Sequence, residues 1–280
     1  VNLYEALTTL DGSGAIQPLL SESWSTSADG LTWTFKLKKG ATFQDGSPIE
    51  AKDVVWSVNR LLAINEGPSY LFEGVLSEGS VTEIDSSTVQ FKLEKTYAPF
   101  LTTTPILFVV NSDLAKENAG DGDPWAQDYI ANNSIGAGAF YLDSWERGAG
   151  MTIKAYEGYH LGWSDTGIDE VRFVVTNEEA TVKALAASGE LSMSSDAQAQ
   201  ETYNSIGALS DYRIEKYSTA TNFYLKLNNS VAPTDDVNIR KAIAYATDYE
   251  TIRDVILPGA PLTGPMPPIF ADAYPDDIQP

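Results

Sequence analysis

DGLTWTFKLKKGATFQDGSPIEAKDVVWSVNRL, running from Asp29 to Leu61, is the most patterned stretch of the 280-residue sequence. Leu31, Trp33, Phe35 and Leu37 alternate with Thr32, Thr34, Lys36 and Lys38. A period of two puts one face in a core and the other in water, so the segment reads as a strand. Gly40 interrupts it, and Asp45-Gly46 and Ser47-Pro48 are turn pairs. From about Ala51 onward, Val54, Val55, Val58, Leu61 and Leu62 recur at helical spacing. The unit is strand, turn, helix, and it contains no nucleophile, metal cluster or phosphate loop.

The whole chain supports a packed protein of this kind: 43% of its residues are hydrophobic, enough for one large domain or two. No apolar run approaches the length needed to cross a bilayer, so direct membrane insertion is not expected. The opening VNLYEALTTL has neither a basic n-region nor a small-residue cleavage site, which reads as a soluble chain whose export signal is already gone. A net charge of −21 repels phosphate backbones and anionic lipid, which argues against nucleic acid and membrane surfaces as partners. With no cysteine, disulfides, thiolate metal sites and cysteine catalysis are excluded, and the redox compartment stays open.

Outward from the central unit, Ser87 to Leu93 reads as a strand with VTEID as its hairpin partner. Asn118 to Ser134 is rich in Gly, Asn and Asp and reads as an irregular connection, with a structural boundary near Ser134. Beyond it GAFYLDSW and MTIKAYEGY pair as strands, EVRFVV is a third, and EEATVKALAASGE is a helix ended by Gly189. TNFYLKLNN is expected to be a further strand, with Phe223, Leu225 and Leu227 on one face and Tyr224 on the other. Helices follow over DDVNIRKAIAYATDYETIRDVI, where Asp235 or Asp236 caps the first and Asp248 the second. The proline- and glycine-studded tail from Pro258 to Pro280 reads as extended or poorly ordered.

Tests for catalysis fail one by one. His160, in YHLGWSD, is the only histidine, and a lone histidine at a strand end is a surface or packing residue more often than a catalyst. Asp235-Asp236 and Glu178-Glu179 sit at expected helix N-termini, where carboxylates stabilise the helix dipole. DGSG at Asp11 to Gly14 and DGDP at Asp121 to Pro124 lack the remaining ligands of a calcium loop and read as turns. SIGAGAF, Ser134 to Phe140, misses the third glycine of a dinucleotide fingerprint and leads into a strand. No cofactor is expected, and a carboxylate-dependent hydrolase is the rival reading from another class, permitted by the acidic composition but carried by no motif.

The central stretch closely resembles the signature of the family 5 extracellular solute-binding proteins, the peptide, nickel and sugar receptors of bacterial ABC importers. The places that match are Lys38 to Gly40, Phe43, Asp45, Gly46, Pro48, Ala51, Asp53, Val54 and Arg60. LYEALTTLDGSGAIQPLLSESW resembles the family's early strand with its Tyr-Glu-x-Leu turn. SIGAGAFYLDSWERG resembles its Gly-Thr-Gly-Pro-Phe block, with Ala137 and Ala139 in the Thr and Pro places. NFYLKLNNSVAPTDDVNIRKAIAYATDYETI resembles its crossover strand and the first helices of a second lobe.

That resemblance implies an α/β fold of the periplasmic-binding-protein type, type II and of the large cluster, with mixed β-sheets flanked by helices. Residues 1–20 and 135–230 would form the first-lobe core, 21–134 an inserted α+β subdomain, and 231–280 the start of a second lobe. Family members are considerably longer, so the resemblance implies a fragment that binds solute weakly alone and bares apolar surface from Asp236 to Ile256. The implied protein is exported to the periplasm or outside the cell and is a monomer at full length. It captures a small solute, by family frequency a di- or oligopeptide, with nickel complexes and oligosaccharides as alternatives, and hands it to an ABC importer permease.

The central stretch is then scaffold, with Trp33, Phe35 and Val54 in the core. The turn Leu3, Tyr4, Glu5 and Leu7 and the crossover strand with Asn222, Tyr224 and Asn228 are the implied ligand-binding wall. Glu5 can accept a hydrogen bond from a ligand amine, or stand as an exposed loop carboxylate. Tyr97 and Phe100, in KTYAPFLTT, are left on a loop by the Ala98-Pro99 break and are expected either to reach the cleft or to pack in the core.

Overall fold

The structure is a computed structural model and describes residues 2–194, 198–216, 221–256, 259 and 262. It forms two compact units, Val1–Val175 and Thr176–Pro280, each described by itself. In chain order the strands are β1 (Glu5–Ala6), β2 (Thr8–Leu10), β3 (Ile16–Pro18), β4 (Ser21–Thr26), β5 (Thr32–Leu37), β6 (Val81–Asp85), β7 (Thr88–Lys92), β8 (Phe108–Val109), β9 (Phe140–Glu146), β10 (Gly150–Ala155) and β11 (Glu170–Val174). The helices are α1 (Ala51–Ile64), α2 (Phe100–Thr103), α3 (Ser112–Glu117), α4 (Gln127–Ile130), α5 (Glu179–Ser188), α6 (Gln200–Gly207), α7 (Val237–Ala246) and α8 (Tyr249–Thr251).

The alternating stretch becomes β5, the second strand of an antiparallel four-stranded sheet ordered β4-β5-β7-β6. Phe35 and Leu37 lie on its inner face with Val89 and Phe91 of β7, and Val54 and Val58 of α1 belong to the same buried cluster. The rings of Phe35 and Phe91 meet edge to face at 5.5 Å, and Phe91 meets Phe100 in the same way at 5.5 Å. A completely buried phenyl ring of this kind contributes about 1.5–3 kcal/mol by leaving water. Phe100 is therefore a core residue at the start of α2, not a cleft residue: the Ala98-Pro99 break turns its ring inward onto β7 and Trp33. Tyr97 is half-buried and packs on the same cluster.

Asp53 pins α1 into this unit. Its Oδ2 accepts the backbone N–H of Glu50 at 2.9 Å, closing the first turn of the helix. Its Oδ1 accepts both the N–H and the hydroxyl of Ser112, at 3.1 and 2.7 Å, which ties α1 to α3. Only 1% of Asp53 is exposed, and burial pushes its carboxyl above the ordinary value while the bonds from Ser112 pull the other way. A raised carboxyl favours the fold below the unfolded-state pKa, and that contribution is lost as pH rises through the folded value. The three donated bonds are what hold the charge in place.

Sequence and structure part company in several places. Asn222 to Asn228 is not a strand among the described residues, and alternation of apolar side chains alone does not make one. The segment 118–134 contains a short helix, α4, and α6 follows a stretch from which no helix was expected. Packing does not break near Ser134, because Ala137 is buried in the same cluster as Leu7 and Phe35. Gly189 ends α5 in the left-handed conformation at φ 78°, as expected, and Asp236 and Asp248 cap α7 and α8 through bonds to Asn238 N and Thr251 N. Val237, Ile239, Tyr245 and Tyr249 are exposed along α7 and α8, and Ile252 and Val255 along the π-helical turn Ile252–Ile256 that follows. Apart from Gly259 and Leu262, the tail from Pro258 lies outside the described residues.

Replacing Asp53 by alanine strands the buried Ser112 N–H and the half-buried Glu50 N–H. Each such orphan costs about 1–3 kcal/mol, so Asp53→Ala should lower the unfolding free energy by about 3 kcal/mol or more in urea titration. A loss below about 1 kcal/mol would show that the α1–α3 tie is dispensable.

Candidate functional site

The N-terminal segment is held from several sides. β1 pairs with β8, Glu5 opposite Val109 and Ala6 opposite Phe108. The Leu3 carbonyl accepts the Gly138 N–H at 3.1 Å, and the Asn2 carbonyl accepts the Phe140 N–H at 3.1 Å. Gln44, inside the turn of the central stretch, donates its amide to the Leu3 carbonyl at 2.9 Å and to the Phe140 carbonyl at 2.5 Å. Its own carbonyl accepts the Ser134 hydroxyl at 2.6 Å.

This contact explains the glycines of SIGAGAF. A Cβ on Gly136 would lie 2.1 Å from the Leu3 carbonyl oxygen, and one on Gly138 would lie 2.2 Å from that of Asn2. The two glycines let one backbone lie directly on another. Ala137, between them, is completely buried.

Glu5 is not an exposed loop carboxylate. Its side chain is 7% exposed, and both oxygens have partners: the Tyr159 hydroxyl donates to Oε1 at 2.5 Å, and His160 Nε2 lies 2.6 Å from Oε2. The His160 side chain is only 5% exposed, packed edge-on against the Tyr159 ring at 5.0 Å. Burial first, and then the bond and charge of Glu5, push the Tyr159 hydroxyl well above its ordinary value, so it stays a donor. The lone histidine is thus an interior partner of an acid, not a surface residue.

The expected wall residues separate into classes. Leu7 is completely buried beside Leu20 and Phe35 and faces no solute, because its alternation along the β1–β2 segment points it into the main cluster. Leu3 and Tyr4 are half-buried; the Tyr4 ring packs on Val110 and Ile135, its hydroxyl donates to the Asn133 carbonyl at 3.3 Å, and burial raises its pKa. Asn222, Tyr224 and Asn228 belong to the second compact unit. There Tyr224 is exposed, and the Asn228 side chain accepts the Ser230 N–H at 2.9 Å in a local turn. Sequence reading missed Gln44, Tyr159 and His160 as supports of Glu5 and Leu3. Only the position of Gln44 inside a conspicuous turn gave any signal.

A cavity of about 440 Å³ in the first unit lies elsewhere, lined by Asn59, Leu62, Phe72, Glu73 and Trp125 among others, and includes none of the expected wall residues. Among the described residues no group of three or more His, Cys, Asp or Glu side chains is placed to hold a metal ion.

Gly138→Ala should displace the Asn2 carbonyl and with it the Leu3 and Phe140 bonds. The expected cost is about 2 kcal/mol, with faster amide exchange confined to the first residues of the chain. Unchanged stability and exchange would mean that the close approach is not needed.

Comparison with known proteins gives a consistent result. The family described as bacterial extracellular solute-binding proteins, family 5 Middle, matches residues 15–280. The probable D,D-dipeptide-binding periplasmic protein of Escherichia coli is 32% identical over 260 residues, covering 91% of this chain and 49% of its own length. The periplasmic oligopeptide-binding protein of Haemophilus influenzae is 29% identical over 278 residues, again 91% of this chain and 49% of its own. Among solved structures, the H. influenzae oligopeptide-binding protein in complex with the peptide RPPGFSPFR superposes with a TM-score of 0.71 at 26% identity, covering 90% of this chain and 52% of that one. A nickel–histidine complex from Campylobacter jejuni, at TM-score 0.74 and 23% identity over 90% of this chain and 49% of that one, shares the fold. The chain spans about half the length of the curated relatives it matches.

Proposed function

The chain belongs to family 5 of the bacterial extracellular solute-binding proteins, and from that premise we propose that it is part of a receptor that captures a di- or oligopeptide and delivers it to an ABC importer permease. The observation that carries the solute class is the 32% identity to a dipeptide-binding relative over 91% of the chain. In this reading the protein works outside the cytoplasmic membrane as a monomer and turns nothing over. No helix among the described residues is long and apolar enough to cross a membrane.

The physical logic is that of two walls closing on a ligand. Binding energy is converted into a closed shape only if the closed state makes contacts that the open state lacks. The segment Leu3–Tyr4 supplies one wall in this proposal. Glu5 enters as a support: both its oxygens are occupied, so a ligand amine would have to displace Tyr159 or His160 to reach it. The half-buried Leu3 and Tyr4 are the contact candidates, with the backbone beneath them clamped by Gln44 and Gly138. A clamped wall loses little entropy on binding, which favours affinity.

Titration calorimetry of the full-length receptor that contains this chain, against dipeptides, tripeptides, nickel–histidine and an oligosaccharide, decides the solute class, with these 280 residues alone expected to bind weakly or not at all. Peptide binding in the micromolar range or tighter, about −8 kcal/mol, is the expected result. Binding of only nickel–histidine or only the sugar would replace the peptide reading, and hydrolysis of any of them would overturn the receptor reading.

A further inference from the structure

We propose that the cavity at the C-terminal end of α1 is a second ligand site, built for a small organic cation of the alkylammonium class. It contains none of the residues assigned to the peptide wall, so it stands whether or not the peptide reading does.

The cavity measures about 440 Å³, within the range of small-molecule sites. Its walls include Asn59 and Leu62 of α1, Glu73, Leu76 and Glu78 of the segment that follows, and Trp125 from a distant loop. The side-chain oxygen of Asn59 is buried and has no hydrogen-bond partner among the described residues. An unpaired buried acceptor is costly, and native proteins keep few of them. A leucine has nearly the same volume and would carry no such cost. The amide is accounted for by a donor from outside the chain, toward which the side chain turns once that donor enters the cavity.

The charges around the cavity decide what the donor is. Glu73 and Glu78 both line it and are exposed residues. The last turn of α1, which carries Leu62, has no basic residue, so its own side chains do not offset the negative end of the helix dipole. Among the described residues no lysine, arginine or histidine lines the cavity. Lys95 touches the rim, its Nζ 3.4 Å from where a Cβ on Gly74 would stand, and Arg60 directs its Nε to the Trp125 carbonyl at 2.9 Å. An ammonium group entering the cavity meets two carboxylates, a helix C-terminus and an unpaired amide oxygen.

The rest of the wall calls for carbon behind that charge. Leu62 and Leu76 are apolar, and the Trp125 indole, packed against Trp56 at 5.5 Å, is suited to hold a cation. A bare metal ion is not served, because among the described residues no group of three or more His, Cys, Asp or Glu side chains converges on one point.

The probe is cadaverine, two ammonium groups on five methylenes, with 1,5-pentanediol and glutarate as its neutral and anionic five-carbon counterparts. The cavity lies wholly within the first unit, so the 280-residue chain is titrated in a calorimeter at neutral pH and about 0.15 M salt. Cadaverine should bind at least about tenfold more tightly than either counterpart, the worth of one charge-assisted hydrogen bond. Glu73→Gln combined with Glu78→Gln should lower its affinity at least about tenfold. Glu146→Gln combined with Glu157→Gln, two exposed positions outside the cavity lining, should leave it unchanged, which separates the site from the general pull of a chain of net charge −21. Asn59→Leu should weaken cadaverine binding by a similar factor and raise the urea midpoint of unfolding, because it removes the unpaired oxygen. Lost binding together with gained stability is a result that a merely structural Asn59 would not give.

Equal affinity for the three probes, no binding of cadaverine at millimolar concentration, full affinity in the Glu73→Gln and Glu78→Gln double variant, or an Asn59→Leu protein that is less stable than the wild type overturns the site. None of these results bears on the peptide reading, which is tested in the full-length receptor.

Discussion

The contact on which the first unit turns is backbone against backbone: the carbonyls of Asn2 and Leu3 lie on Gly136 and Gly138 with no room for a side chain between them. Segments more than a hundred residues apart are joined there, and the N–H groups of Gly138 and Phe140 find their acceptors in the same step. Buried N–H groups must be paired somewhere. Once Asn2 and Leu3 are seated, Glu5 is delivered to Tyr159 and His160, and Leu7 to the main cluster.

The conspicuous central stretch serves this arrangement as scaffold. β5 and α1 bury Phe35, Val54 and Val58 in one cluster, Asp53 ties α1 to Ser112, and Asn111 donates its side-chain amide to Asp45 in the turn at 2.8 Å. That turn then presents Gln44 to the N-terminal segment. The most patterned sequence is therefore one step removed from the proposed wall. Its order fixes a polar hub that holds the wall from behind.

Most of the first unit was legible in the sequence because period-two and helical spacing are local. Leu31 to Leu37, the VTEID hairpin, the helix from Ala51 and the paired strands after Ser134 all formed. Asn222 to Asn228, which is not a strand among the described residues, shows the limit of such patterns, since alternation states which face a strand would bury but does not by itself make the strand. The site was less legible for a related reason. Leu7 was placed in the wall by the family's turn and Phe100 was left between cleft and core, whereas three-dimensional packing decides that both are core. Glu5, Tyr159 and His160 meet across more than 150 residues, and no local spacing announces a pairing of that kind.

The central claim is that the clamped segment from Leu3 to Ala6 is a wall against which a peptide closes. Hydrogen exchange of those amides, measured in the protein with and without a saturating tripeptide, tests it most directly. The account predicts slower exchange at Tyr4 to Ala6 on binding, with the β5 and β7 amides unchanged. Tight peptide binding with no change at Tyr4 to Ala6 would place the solute elsewhere and contradict the account.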